Sequence, residues 1–378
     1  CALPIFENVK IRTSNKRYTF MKRLFSILFI FLLFPMTLFP GDEENGPDYP
    51  CSNKNLQTPE PGTCLSLNAY RLLQAIEHVE KNPYNNDIAK KLIDFVEPRV
   101  YKTVHSIIPG DTYDVPIKIY YPTRKSTQRP TQIVLFIHGG GFMFGSIEEY
   151  DMAVKKFARK ANKIVVALDY RLAPEHPYPA AVDDSNLVLH WLSDHAEQLG
   201  GTGSRIFLMG DSAGGNIAAV LALKDRDEES NRVCGQILLY PATTMVEKEF
   251  PSRVYFLNDE SKNYMLTKDF LYISKKSYLQ EGMDESDPYV SPLEADLSIP
   301  LAPTLIVNAE VDPLRDDGRF FAEKLGMNGQ VVVYKEYEGI IHGFFNFYMV
   351  LPEARKAMIL IGKFIDDHSC EAPPKFTV

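Results

Sequence analysis

The stretch "IFLMGDSAGGNIAAVLAL", residues 206–223, runs from an apolar segment into a glycine-flanked serine and out into an Ala/Leu-rich segment. Ile206–Met209 has the uninterrupted apolar character of a strand covered on both faces. A plain strand-to-helix connection needs one or two permissive residues, yet this one sets Gly210, Gly214 and Gly215 around Ser212. The pattern G-x-S-x-G has a mechanical reading. A serine on a tight, strained turn projects its hydroxyl beyond the sheet, and small neighbours let the backbone come close to a substrate. The same residues also suit a glycine-rich turn with a capping serine, so the rest of the chain has to decide.

Working outward, short apolar runs alternate with helical patterns. The runs are residues 132–138, 163–170, 205–210, 235–240, 304–310 and 330–337, and the helical patterns cover 148–161, 180–199, 213–225, 316–326 and 353–367. Such alternation predicts a mostly parallel sheet with helices on both faces. Ahead of it, "VYKTVHSII" and "VPIKIYY" alternate polar and apolar residues around Pro109-Gly110-Asp111, which predicts an antiparallel pair. Eight strands with the first two antiparallel is the layout of an α/β-hydrolase. Residues 247–285 break the alternation with an aromatic and charged helix, "TKDFLYISKKSYL". With the amphipathic helices expected over 64–98, this insert is placed as a cap over the carboxyl ends of the strands, where open α/β sheets bind ligands.

Three further segments stand at strand ends. "HGGGF", His138–Phe142, closes the third strand, and its three consecutive glycines leave backbone N–H groups unobstructed. With the N–H of Ala213 they form a candidate cradle for an oxyanion. "DPLRDDG", Asp312–Gly318, follows the run 304–310; Asp312 is the carboxylate placed to orient an imidazole, while Asp316 and Asp317 are expected to cap the next helix. "IIHGFF" puts His342 in a loop after the last strand. Serine, aspartate and histidine thus arrive in the order that the nucleophile-elbow pattern requires, each after a separate strand. In that logic His342 takes the proton of Ser212 and returns it to the leaving group, while Asp312 holds the tautomer. Phe142, Phe144 and the aromatic residues of 247–278 are candidates to line an apolar pocket, and ordinary packing suits them as well.

"HGGGF", "DYRLAPEHPYPAA", "GDSAGGN", "DPLRDDG" and "HGF" together resemble the hormone-sensitive-lipase-like family of α/β-hydrolase esterases and lipases, which includes enzymes like arylacetamide deacetylase. The likeness extends over about residues 100–368. It implies a Ser212–His342–Asp312 triad, oxyanion donors at Gly140, Gly141 and Ala213, and a helical cap. It also implies that Arg171, Pro174, Glu175 and Pro177 brace the floor of the site and that His138 anchors a loop.

Composition narrows the partners. The chain carries 41 Lys/Arg against 49 Asp/Glu, a formal charge of −8. Six of those bases and only one acid lie in residues 1–41, so the remainder is more acidic still. Such a surface repels polyphosphate, which argues against nucleic-acid binding. No histidine pair stands four residues apart beside a carboxylate, and the reading calls for no metal and no organic cofactor. Met21-Lys22-Arg23 precedes the apolar run 24–34, the pattern of a secretory signal or a signal-anchor, with residues 1–20 as an extension before it. The domain reading is therefore an N-terminal extension and signal over 1–41 and a linker with cap helices over 42–99. The catalytic domain follows over 100–372 with its cap insert, then a tail over 373–378. Beyond residue 41 stand Cys51, Cys64, Cys234 and Cys370, an even number that permits disulfides, with Cys51 and Cys64 close enough in sequence to pair.

The expectation is a serine carboxylesterase acting on small esters through an acyl-enzyme, in a secreted, endoplasmic-reticulum or other extracytoplasmic setting. Membrane contact is expected only if the signal stays as an anchor. An amidase using the same tetrahedral intermediate, and a non-catalytic receptor on the same scaffold, are the rival readings.

Overall fold

The computed structural model describes residues 98–123, 131–203, 205–258 and 265–370, together with Ser66 and Ala69. The expected signal at 21–34, the pairing of Cys51 with Cys64 and nearly all of the expected cap helices over 64–98 lie outside them.

Eight strands form one sheet: β1 (Lys102–Ile108), β2 (Val115–Tyr121), β3 (Ile133–Ile137), β4 (Ile164–Leu168), β5 (Ile206–Asp211), β6 (Val233–Leu239), β7 (Thr304–Val311) and β8 (Val332–Ile341). Their spatial order is β1-β2-β4-β3-β5-β6-β7-β8. β1 pairs antiparallel with β2, and β2 antiparallel with β4; every later pairing is parallel. The cause is visible in the side chains. β3, β4, β5 and β6 are buried at every position, as strands with helices on both faces must be, whereas edge strand β1 alternates.

Seven α-helices accompany the sheet among the described residues. They are α1 (Ile147–Ala161), α2 (Ala180–Leu199), α3 (Ala213–Asp227), α4 (Pro251–Leu257), α5 (Lys268–Tyr278), α6 (Arg315–Met327) and α7 (Pro352–Asp367). α1 begins where Ser146 Oγ accepts the N–H of Glu149 at 3.2 Å. Glu148 and Glu149 in its first turn and Arg159 and Lys160 in its last match the helix dipole. α1 packs on α7 and α2 packs on α3, while α6 lies on β7 and β8. The side chains of β3 alternate accordingly. Leu135 joins the cluster with Leu189 of α2 and Ile217 of α3, whereas Phe136 meets Tyr150 of α1 at 5.5 Å between ring centres.

Topology then fixes where a site can form. From β3 the chain crosses to β4 on one side, returns, and from β5 proceeds through β6 to the other side. The direction reverses between neighbours β3 and β5, and the crevice beyond their carboxyl ends is the place where such sheets bind ligands. "HGGGF" follows β3 and Ser212 follows β5, so both sit at that reversal. α4 and α5 are the helical parts of the insert between β6 and β7.

One covalent link was left open by the sequence. Cys234, at the start of β6, is bonded to Cys370, which follows α7, across 136 residues of chain. The bond ties the last helix to the middle of the sheet. Replacing both cysteines by alanine is expected to lower stability by about 3 kcal/mol, since the open chain regains the freedom that the loop denied it. Urea unfolding with and without dithiothreitol checks this. The reductant should shift the wild-type midpoint towards that of the variant and leave the variant where it is.

Candidate active site

The turn between β5 and α3 is as tight as its glycines imply. Ser212 adopts φ 54° and ψ −119°, a left-handed conformation that L side chains rarely take. A Cβ on Gly214 would lie 2.1 Å from the carbonyl oxygen of Ile137, so only glycine lets the start of α3 pass this close to the end of β3. The serine side chain is thereby lifted into a partly exposed position above the sheet.

Two loops converge on it. After β7, Asp312 is wholly buried and its Oδ1 accepts the N–H of Leu314 at 2.8 Å. After β8, His342 is 6% exposed. Its Nδ1 is 2.7 Å from Asp312 Oδ2 and its Nε2 is 2.9 Å from Ser212 Oγ. With the carboxylate accepting at Nδ1, the ring carries its proton there, and Nε2 offers a lone pair to the serine hydroxyl. The edge of the Tyr240 ring meets the imidazole at 4.8 Å between centres.

The glycine loop runs beside the serine turn, where a Cβ on Gly139 would lie 2.8 Å from the carbonyl oxygen of Asp211. Gly140 and Gly141 have φ of 118° and 62°, and neither N–H has a hydrogen-bond partner among the described residues. Ala213 opens α3, where the first-turn N–H groups have no partner within the helix. The loop is pinned from three sides. Tyr170 OH donates to His138 O at 2.8 Å, Ala173 N–H donates to Phe142 O at 2.9 Å, and Gly139 N–H donates to Asp211 Oδ1 at 2.8 Å. His138 is an anchor: its ring stacks on Tyr170 at 4.2 Å and its Nδ1 lies 2.8 Å from Gly139 O. Burial pushes its pKa down to about 4, so the ring is neutral.

Asp211 is the residue that sequence reasoning passed over, although it stands inside the quoted motif. It is fully buried, and its second oxygen accepts the Tyr150 hydroxyl at 3.0 Å. One carboxylate thus holds the glycine loop to the nucleophile's own strand and to the first turn of α1. Burial raises its pKa to about 6, against the bonds from Tyr150 and Gly139 and the nearby His342, which pull it down. Nothing in the spacing pointed to Tyr150; it reaches Asp211 only through the fold.

Two expectations change. Asp316 and Asp317 do not cap α6. The residue before that helix is Leu314, without a side-chain cap, and both acids reach instead to the insert. Asp316 Oδ2 accepts Ser252 N–H at 2.7 Å, and Arg253 donates to Asp317 Oδ1 at 2.6 Å. An acid at the start of a helix suggests a local role, but here the insert supplies stronger partners. Phe142 is 3% exposed and lies face to face with Tyr278 at 3.7 Å, so its ring belongs to the packing between loop and cap rather than to an open pocket wall. Phe144 is half-buried, 6.4 Å from Phe270. Of the "RLAPEHPYP" segment, Arg171 makes a paired contact with buried Asp184, at 2.7 Å from its Nη2, and Ala173 holds the glycine loop as above.

A family model for the alpha/beta hydrolase fold matches residues 134–346 of this chain. The chain belongs to the α/β-hydrolase family. Carboxylesterase NlhH of Mycobacterium tuberculosis is 40% identical over 249 residues, covering 65% of this chain and 75% of that protein. The arylesterase of Saccharolobus solfataricus is 31% identical over 259 residues, covering 68% and 80%. Among solved structures, a hyperthermophilic esterase from the archaeon Pyrobaculum calidifontis superposes with a TM-score of 0.72 at 36% identity, over 80% of this chain and 98% of that one. The resemblance of the motifs to hormone-sensitive-lipase-like esterases and lipases is thereby borne out.

Within this α/β-hydrolase, Asp211 carries a pH signature of known sign. Its folded-state pKa is raised from 3.8 to about 6, so the folded protein keeps the proton to a higher pH than the unfolded chain. The resulting stability is fully present below the unfolded value and is lost as pH rises through about 6. Relative to Asp211→Asn, the wild type should therefore gain about 2 kcal/mol between pH 7 and pH 4, each tenfold difference in proton affinity being worth roughly 1.4 kcal/mol. Urea midpoints of the two proteins at pH 4, 5, 6 and 7 measure it; a constant difference would show that Asp211 titrates alike folded and unfolded.

Proposed function

We propose that this chain is a serine carboxylesterase that works through an acyl-enzyme, with Ser212 as nucleophile, His342 as general base and acid, and Asp312 as the orienting carboxylate. The observation that carries the reading is the pair of contacts at His342, 2.7 Å to Asp312 and 2.9 Å to Ser212. The names of its relatives, carboxylesterase and arylesterase, favour esters over amides.

The chemistry follows from the geometry. As Ser212 Oγ attacks the ester carbonyl, its proton passes to His342 Nε2. The imidazolium that forms is stabilised by Asp312 at Nδ1, and the negative charge on the former carbonyl oxygen falls to the N–H groups of Gly140, Gly141 and Ala213. Collapse breaks the bond to the alcohol, which leaves with the Nε2 proton. Water then attacks the acyl-serine, giving its proton to the same nitrogen, and a second collapse frees the carboxylic acid and restores Ser212. Every group needed is a side chain or an amide of this chain. The Cys234–Cys370 bond supports an oxidising, extracytoplasmic setting.

The acyl chain is proposed to be short, from acetyl to about hexanoyl, the reach of a small closed pocket. The close seat of the cap supports this. A Cβ on Gly141 would lie 2.5 Å from Ser274 Oγ and 2.8 Å from Phe270 Cζ, so α5 rests directly on the glycine loop. Lys275 of α5 pairs with Glu285 at 2.6 Å, and Lys248 of the same insert pairs with Glu294.

Ser212→Ala is expected to keep the fold and lower ester hydrolysis by at least about a thousandfold, leaving only binding and oxyanion contributions. His342→Ala should cost a similar factor, and the double variant little more than either, because the two act as one unit. Initial rates on p-nitrophenyl butyrate test this, with additive losses in the double variant counting against a shared role. Rates should fall from butyrate to palmitate esters, and tributyrin hydrolysis should rise smoothly through the substrate's solubility limit. A jump at that limit together with faster palmitate cleavage would point to a lipase instead.

A further inference from the structure

The inner face of α5 is made by Phe270, Ser274 and Tyr278, spaced four residues apart and so stacked along one side of the helix. All three stand over the glycine loop. Phe270 lies beside Phe144, and Tyr278 covers Phe142 ring to ring. Between two aromatic rings, the middle position is a serine. Its side chain is 6% exposed, and its Oγ is buried with no hydrogen-bond partner.

That state is unusual for a helical serine. Such a hydroxyl ordinarily bonds back to the carbonyl four residues earlier, or turns to water. Ser274 does neither, and a buried polar atom left unpaired calls for an explanation. Its position supplies one. Oγ is 2.5 Å from where a Cβ of Gly141 would be. Covalent geometry puts that point about 2.5 Å from the Gly141 nitrogen, so Oγ lies within about 5 Å of an N–H assigned to the oxyanion. A carbonyl oxygen held by that N–H would put the ester group on the same loop residue that the Ser274 hydroxyl packs against.

We propose that Ser274 is a specificity-determining residue whose hydroxyl hydrogen-bonds a polar substituent on the carbon adjacent to the scissile carbonyl. The favoured substrates are then 2-hydroxy and 2-oxo esters rather than plain alkanoate esters of equal length. The inference rests on the hydrolytic reading of the site and adds a substrate class to it. The hydroxyl both donates and accepts, so it pairs with either substituent. A plain alkyl ester would leave it unpaired, and discrimination of this kind comes from a buried polar group left without its partner.

The test uses methyl butyrate and methyl 2-hydroxybutyrate, followed in a pH-stat with the full chain. The wild type should favour the hydroxy ester in kcat/KM by about tenfold, the worth of one neutral hydrogen bond. In Ser274→Ala that ratio should fall to about one. Should the alanine variant fail to fold, Ser274→Cys, of similar shape and with a much weaker donor, should also bring the ratio down. An equal ratio in wild type and variant, or no preference in the wild type, overturns the contact and leaves the esterase intact. Cleavage of neither ester by the wild type overturns the hydrolytic reading and this inference with it.

Discussion

The left-handed turn at Ser212 is the constraint on which the rest of the site depends. A non-glycine residue at φ 54° and ψ −119° costs on the order of 1–3 kcal/mol and persists only where its surroundings leave no alternative. Here they leave none. Ser212 N–H donates to Leu239 O at 2.9 Å, and Ala242 N–H donates to Ser212 O at 3.3 Å, so strand β6 and its following loop grip the turn on both sides. Asn216 on the first turn of α3 reaches Ala242 O and Val290 O with the same amide nitrogen. Two things follow from one strained residue. The hydroxyl projects above the sheet, and the preceding carboxylate of Asp211 is buried in the protein.

Buried carboxylates surround the turn, and their partners differ in kind. Asp184 and Asp317 face guanidinium groups, from Arg171 and Arg253. Asp312 faces an imidazole and an amide. Asp211 is held by an amide and a phenol, neither of them charged, and burial raises its pKa to about 6, as it does that of Asp317 against the pull of Arg253. The arrangement also ties separate segments together. Asp316 and Asp317 receive Ser252 and Arg253 of the insert, four and five residues after Asp312. The loop that carries the orienting acid is therefore the loop that anchors the cap helix α4. Removing one partner of such a pair would strand a buried charge, so these contacts hold the cap and the acid in a fixed relation.

Much of this was legible beforehand. The six apolar runs and the alternating pair ahead of them mark all eight strands, and the five helical patterns of the sheet region end within two residues of α1, α2, α3, α6 and α7. Strand ends drifted more: residues 235–240 begin two residues late for β6, and 330–337 stop four residues short of the end of β8. Gly339 reads as a breaker in β8, yet its N–H is held by Glu310 at 2.7 Å, and a partner from a neighbouring strand end carries no local signal. Asp211 was in plain view, but its role depends on Gly139 and Tyr150, 72 and 61 residues away.

The sequence by itself determined the class of fold, the order of serine, aspartate and histidine, and the glycines that let backbones approach. Those are properties of periodicity, residue size and conformational freedom, which act over a few residues at a time. Only the tertiary structure decided that β3 and β5 are neighbours, that Asp316 and Asp317 serve the insert rather than their own helix, and that Cys234 meets Cys370. It also decided that Ser274 ends beside Gly141, between two aromatic rings. Each of these is a contact between distant parts of the chain, set by which surfaces the packed sheet and helices bring within a hydrogen bond's reach.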